Sequence, residues 1–257
     1  MTTAVIAGYV RSPFTPARRG ALARIRPDDL AAQVVRALLT RTGVPAASIE
    51  DLIVGCAFPE GEQGLNIGRL IGFLAELPAS VGGITVNRFC GSSMQAVHMA
   101  AGAVAMGAGD AFVCAGVESM TRVPMMGFNP MPNVLLRQMR PGAYVSMGDT
   151  ADNVAKQFAI DRSAQEAFAA ISHQKAAAAQ AQGRLQDEMV PIGEEHAAIA
   201  DDGCIRVETS AAMLAELKPA FSAGGTVTAG TSSPLTDGAA AVLVCSEPFA
   251  RAHGLPM

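Results

Sequence analysis

Cys90 is the residue with the clearest chemical potential. It stands in the run NRFCGSSMQAVHMAAGAVAMG (87–107), where an extended segment is expected to end on a thiol just as a small-residue helix begins. A sulfur at a helix N-terminus faces unpaired backbone N–H groups and the positive end of the aligned peptide dipoles, and both favour the thiolate. A thiolate so placed is a competent nucleophile. The other four cysteines have no such setting. Cys56 and Cys114 lie inside apolar runs that read as strands, Cys245 closes another, and Cys204 stands in a loop with no role assigned. The first three read as small buried hydrophobes. An odd total of five, without a Cys-x-x-Cys pair, argues against a disulfide framework and against a thiolate metal site, so no metal is expected. His98 falls on the helix after Cys90 and reads as a core residue, whereas His173, His196 and His253 read as surface residues; none is assigned as a base.

Strand-like and helical patterns alternate around this nucleophile. TAVIAGYV (3–10), DLIVGCAF (51–58), ITVNRFC (84–90) and DAFVCAGVES (110–119) read as strands, and GAAAVLVCS (238–246) as a fifth. Helices are predicted over 28–41, 65–76 and 92–106; the first has Leu30, Val34 and Leu38 four residues apart, acids at its start and basic residues at its end. Such alternation implies βαβ crossovers, an α/β class and a largely parallel sheet. The helix over 92–106 is small or apolar nearly all round, which predicts burial on every side between two layers. Residues 121–150, rich in Pro, Gly and Met, form an excursion long enough to be functional. Two more helices follow over 149–159 and 163–182, the second with Ser163 and Glu166 at capping-box spacing and Gly183 as a stop.

Composition bounds the rest. The chain has 257 residues, a net charge of −4 and 16% charged residues, against roughly 25% for ordinary soluble domains. A surface so short of charge predicts burial against another subunit or domain. No apolar stretch reaches the roughly 20 residues that span a bilayer, and the apolar run of MTTAVIAGYVRSPF is too short for a signal peptide. Together with the cysteine pattern this predicts a cytoplasmic protein without membrane insertion. Arg18, Arg19, Arg24 and Arg26 form a local positive cluster that reads as a solvated loop; nothing resembles a nucleic-acid-binding face or a nucleotide-binding glycine loop.

Three segments in order carry a family pattern. NRFCGSSMQA (87–96), GVESMTRVPM (116–125) and GTVTAGTSSPLTDGAAAVLVCSE (225–247) make the chain resemble thiolases, the acyl-CoA acyltransferases that make or cleave 3-ketoacyl-CoA thioesters. The resemblance implies a layered αβα fold, namely the N-terminal βαβαβαββ half of a five-layer αβαβα arrangement, with a loop domain inserted. On that basis residues 1–120 are the first part of the α/β domain, 121–236 the CoA-binding loop domain, and 237–257 the return strand and helix. It implies that Cys90 becomes acylated and that Ser233 bonds the pantetheine arm. It further implies that Ala229 and Phe221 line the pantetheine channel, that Arg206 lies near the adenine end, and that Met147 sits beside the reacting acyl group. Ser146 stands where some biosynthetic members have histidine, and TSS (231–233) replaces their NAS.

The same resemblance implies acyl-CoA and CoA as substrate and product, no resident cofactor, a place in fatty acid metabolism, and a homodimer or homotetramer. Family members continue past a sequence like ARAHGLPM (250–257) into a C-terminal half with an Asn-Glu segment, a Gly-His-Pro histidine and a second catalytic cysteine; those motifs do not occur here. The chain is therefore expected to be a weak catalyst alone, completed by a missing C-terminal half or a second subunit. The alternative is a stand-alone thioester-binding or interaction protein derived from a thiolase.

Overall fold

Successive strand residues point to opposite faces of a sheet, and here both sets are apolar, so each face must be covered. The computed structural model describes residues 2–194 and 197–257, and His196 lies outside the described residues. Its strands are β1 (Ala4–Arg11), β2 (Thr15–Pro16), β3 (Asp51–Gly55), β4 (Gly82–Val86), β5 (Ala111–Ser119) and β6 (Thr236–Ser246). Its α-helices are α1 (Pro27–Thr42), α2 (Ile67–Leu74), α3 (Ser92–Met106), α4 (Val134–Met139), α5 (Met147–Gln157), α6 (Arg162–Ala181), α7 (Ala211–Ala215) and α8 (Glu247–Ala252).

The chain divides into two compact units. One comprises Met1–Phe128, Gln186–Gly203 and Leu235–Met257, the other Asn129–Leu185 and Cys204–Pro234. The first contains the sheet, in the order β1-β6-β5-β3-β4 with β2 beside β6. Leu52, Val54, Val113, Ala115 and Leu243 face α1 and α2, while the intervening Ile53, Phe112, Cys114 and Val244 pack on α3. The result is a layered αβα fold.

Three sequence expectations change here. β3 pairs parallel with β4 and β5, but β6 runs antiparallel to both β1 and β5, so the sheet is mixed and not largely parallel. A strand that returns after a long excursion escapes the crossover constraint that makes βαβ neighbours parallel. Secondly, 186–203 belongs with the sheet although it falls inside the expected loop domain of 121–236. Arg11 holds it there, with Nε donating to Glu188 at 2.7 Å and the two Nη atoms donating to Asp202 at 2.9 and 2.8 Å. Such a forked pair gives direction to a stretch that looks merely polar in sequence. Thirdly, α3 is buried only along Ser92, Ala96, Ala100 and Val104. Met94 and Met106 are 61% and 81% exposed, and His98 is exposed rather than a core residue. Four-residue spacing selects the covered stripe, and the described residues of this unit supply a layer on that side alone.

In the second unit α6 is capped by Asp161, whose carboxylate accepts the Ala164 N–H at 2.7 Å; Ser163 donates to Asp161 and caps nothing. The expected capping box is displaced because Glu166 turns inward to pair with Arg162 at 2.6 Å. The same guanidinium donates to the carbonyls of Leu214, Ala215 and Leu217, tying α7 to α6. A cation at exposed helix C-terminal carbonyls is a favourable arrangement.

The first turn of α3 lies directly on the sheet at two glycines. Gly55 and Gly116 are paired in register across β3 and β5. A Cβ on Gly55 would overlap the backbone of Ser92 and Ser93, and one on Gly116 would overlap the Ser93 side chain. By contrast an added Cβ on Gly102, in the middle of α3, meets nothing within 4 Å among the described residues beyond its chain neighbours and its own helix's backbone. Gly55→Ala is therefore expected to lower unfolding free energy by about 1–3 kcal/mol through overpacking, whereas Gly102→Ala raises it by roughly 0.5–1 kcal/mol through helix propensity. Urea unfolding of the two variants checks this, and a Gly55→Ala protein as stable as the parent would remove the glycine seat from the account.

Candidate functional site

β4 stops at Val86, so the extended segment ends well before Cys90. Helix α3 starts at Ser92 with Gly91 at its N-cap, and Cys90 therefore sits one position outside the cap on a turn over 87–91. Local side-chain bonds replace the strand. Asn87 Oδ1 accepts the Phe89 N–H at 2.8 Å, and Ser92 Oγ accepts the Arg88 N–H at 2.9 Å while donating to the Phe89 carbonyl at 2.5 Å. Polar side chains of this kind compete with sheet ladders for backbone groups. Phe89 has φ +46°, in the left-handed region, which for a bulky residue costs about 1–3 kcal/mol. The Cys90 thiol is exposed. Among the described residues, the Cys90 N–H takes part in none of the turn's hydrogen bonds, because those of Gly91 and Ser92 close it onto Arg88 and Phe89.

Behind this turn lies a polar cluster that no sequence pattern announced. Asn87 Nδ2 donates to the Ala57 carbonyl at 2.9 Å, and the Ala57 N–H donates to Glu118 Oε2 at 2.7 Å. Gln63, fully buried, donates to Glu118 Oε1 at 2.7 Å and to the Phe58 carbonyl at 2.8 Å, and its own oxygen accepts the Ser119 N–H at 2.6 Å. The Phe58 and Phe89 rings meet with centroids 5.9 Å apart. Cys56 and Cys114 are buried as expected, and burial pushes both thiols up to about 12, with the Glu118 carboxylate adding to the effect at Cys56. Cys245 is buried and its thiol is raised by the same desolvation. Cys204 is half-buried.

Met147, Phe221, Ala229, Ser233 and Arg206 all fall in the second unit. Ser146 caps α5 by accepting the Asp149 N–H at 3.1 Å. Met147 begins the helix and is 69% exposed. The Phe221 ring lies so close over Gly148 that any side chain there would overlap it. Asp152, a turn further along, accepts the N–H groups of Thr226 and Val227 at 2.8 and 3.0 Å and the Ser222 hydroxyl at 3.0 Å. The Val227 bond foremost, with those of Thr226 and Ser222, holds the Asp152 carboxyl below the usual carboxylate range. The loop that carries Phe221, Ala229 and Ser233 is thereby fastened to α5.

Ser233 is exposed at the rim of a cavity of about 640 Å³ lined by Val154, Phe168, His173 and Val227 among others. Arg206 attaches through its backbone, its N–H donating to His173 Nδ1 at 3.1 Å, while its side chain stays exposed. His173 is accordingly half-buried and bonded, not the free surface residue expected; His253 is exposed and stacks on Phe249 with centroids 4.0 Å apart. Asp152, Gln63 and Glu118 leave no local spacing to detect because their main partners lie far along the chain, whereas the Asn87 bond to the Phe89 N–H two residues on is a local signal within reach of the sequence.

Residues 4–248 match the family model described as thiolase, N-terminal domain. The chain is 47% identical over 268 aligned residues to a 3-ketoacyl-CoA thiolase of Bacillus subtilis (strain 168), with 99% of this chain and 68% of that protein covered. It is 44% identical to the 3-ketoacyl-CoA thiolase of Pseudoalteromonas translucida (strain TAC 125), covering 100% of this chain and 68% of that protein. Against the protein of the same name from Serratia proteamaculans (strain 568) the identity is 44%, covering 99% and 67% respectively.

The Asp152 anchor has a defined pH response. A carboxyl depressed on folding adds stability above its unfolded value of about 3.9, and that contribution disappears as pH falls through the folded value. Amide protection factors at Thr226 and Val227 should therefore be high near neutral pH and fall once the solution drops below about pH 4. Asp152→Ala should show low protection at both extremes. Equal protection in the variant and the parent near neutrality would mean that the loop is held by something else.

Proposed function

This chain belongs to the thiolase family, and from that premise we propose that it is an acyltransferase acting on acyl-CoA and 3-ketoacyl-CoA thioesters through a covalent acyl-cysteine at Cys90. The observation that carries the reading is the setting of the thiol: exposed, one residue before the N-cap of α3, with a backbone N–H that among the described residues enters none of the turn's hydrogen bonds. Its chemistry then follows from charge. The Cys90 sulfur attacks the carbonyl carbon, a C–S bond forms, and negative charge develops on the carbonyl oxygen. The Cys90 N–H is the donor proposed for that oxyanion, with the positive end of α3 behind it. Collapse breaks the bond to the leaving group, and the proton that left Cys90 ends on that group with help from an acid–base residue. A second acceptor, the thiol of CoA or a carbanion, takes the acyl group and restores the thiolate.

In this reading the second unit binds CoA. Phe221, Ala229, Ser233 and Met147 line the pantetheine arm and the acyl end, and Arg206 lies near the adenine end. The fastening of the 221–233 loop to α5 supports it, because an ordered loop loses less entropy when it grips a flexible arm. The half-buried His173 supports it too, by fixing the backbone of Arg206 while the guanidinium stays exposed. CoA enters as substrate and product, with no resident cofactor. Homodimers or homotetramers are proposed on the exposure of Ile6 at 51%, Tyr9 at 58% and Leu65 at 90%.

Incubation with acetyl-CoA followed by peptide mass analysis tests the nucleophile. One acyl group on the peptide carrying Cys90 is expected, with none on Cys56, Cys114 or Cys245 and none at all in Cys90→Ser. A chain that binds CoA but takes no acyl group would be a thioester-binding protein instead.

A further inference from the structure

We propose that Asn87 is a positioning residue for Cys90, transmitting the rigidity of the Ala57–Phe58 segment to the turn that carries the thiol. The proposal rests on the acyltransferase reading and deepens it. Phe89, next to the nucleophile, holds φ +46°, where an aromatic residue does not rest unaided. Ser92 contributes two bonds to the turn, but Ser92 is the first residue of α3 and moves with the helix. Asn87 is different. It accepts the Phe89 N–H at 2.8 Å with one end and donates to the Ala57 carbonyl at 2.9 Å with the other, joining the turn to a separate element.

That element is itself fixed. The Ala57 N–H is bonded to Glu118 at 2.7 Å and the Phe58 carbonyl to Gln63 at 2.8 Å, while the Phe58 ring backs Phe89. Residues 57–58 follow β3, and Glu118 lies on β5, the two strands whose Gly55 and Gly116 seat the start of α3. The nucleophile is thus registered against one pair of strands at two points: the helix through the glycines, the turn through Asn87. Removing Asn87 leaves the helix seated and frees only the turn. Asn87 is exposed, so its loss opens no hole in the core.

Single-turnover acylation of the 257-residue chain by acetyl-CoA, read over a range of concentrations, separates placement from binding. Asn87→Ala is expected to lower the maximal rate about 10- to 100-fold, the scale of a misplaced nucleophile, with the half-saturating concentration and the unfolding midpoint close to the parent's. Asn87→Ser, too short to reach Ala57, should lose a similar factor and serves if the alanine variant does not fold. Phe89→Asn added to Asn87→Ala should recover part of the rate, because asparagine enters the left-handed region readily. Parallel alkylation of Cys90 by iodoacetamide keeps the two ideas apart. If the unsubstituted chain takes no acyl group, the acyltransferase reading fails, and the alkylation rates of the Asn87 variants, expected about tenfold below the parent, still decide the present proposal. Parent-like rates in folded Asn87→Ala and Asn87→Ser overturn it, as does a loss that only tracks the unfolded fraction.

Discussion

The contact on which the site depends is backbone against backbone: the first turn of α3 resting on Gly55 and Gly116. A helix normally stands off a sheet by the length of the intervening side chains. Two glycines opposite one another remove that spacer at one end of α3 alone, so Ser92 and Ser93 reach the strands while Ala96, Ala100 and Val104 keep an ordinary apolar contact. Close approach fixes the height of the helix start more tightly than side-chain packing can, since backbone atoms have no rotamers through which to yield. Everything about Cys90, one residue before the cap, inherits that height.

The same layering sets the buried cysteines apart from Cys90. Cys56 and Cys114 occupy alternate faces around the β3 and β5 core, where loss of water raises both thiols to about 12 and withholds the reactive anion. The Glu118 carboxylate adds to this at Cys56 while bonding the Ala57 N–H. One carboxylate therefore adds to the desolvation that raises a neighbouring thiol and orders the segment behind the Cys90 turn. Cys90 lies outside these layers because the chain leaves the sheet at Val86, four residues before it, and the residue is exposed.

How much of this was legible depends on the range of the interaction. The bounds of α1 and α3 could be read closely, since the acids and basic residues at the ends of α1 act within a turn and the small-residue run of α3 is unbroken. The five main strands were located because their apolar runs are continuous, and Cys90 stood out because its neighbours are local. The orientation of β6 could not be read, as parallel and antiparallel partners demand the same residues. Nor could the glycine seat: Gly55 and Gly116 lie in unremarkable runs and matter only once paired across strands. For α3, small residues all round predict enclosure, whereas the spacing of Ala96, Ala100 and Val104 carries the truer signal of a single covered stripe. The Phe89 conformation had no sequence trace, because nothing in Asn-Arg-Phe-Cys favours positive φ until Asn87 and Ser92 are in place.

The two units are held at their proposed working parts by different physics. Around Cys90 the nearest constraints are steric and neutral, a glycine contact and an amide bridging two backbone groups, with the Glu118 carboxylate one step behind them at the Ala57 N–H. The loop over Ser222–Val227 is tied to α5 by one carboxylate, Asp152, with three donors converging on it, and to α6 by Gln165 at the Thr226 hydroxyl. Charge-assisted bonds of this type are individually stronger but are lost together on a single protonation. A nucleophile gains from stiffness, since a small displacement of its attack direction costs rate steeply. A surface that must admit and release a long flexible substrate gains from a hold that can loosen as a unit. Rigid geometry at the thiol and a charge-held loop on α5 thus assign precision and adaptability to separate parts of one chain.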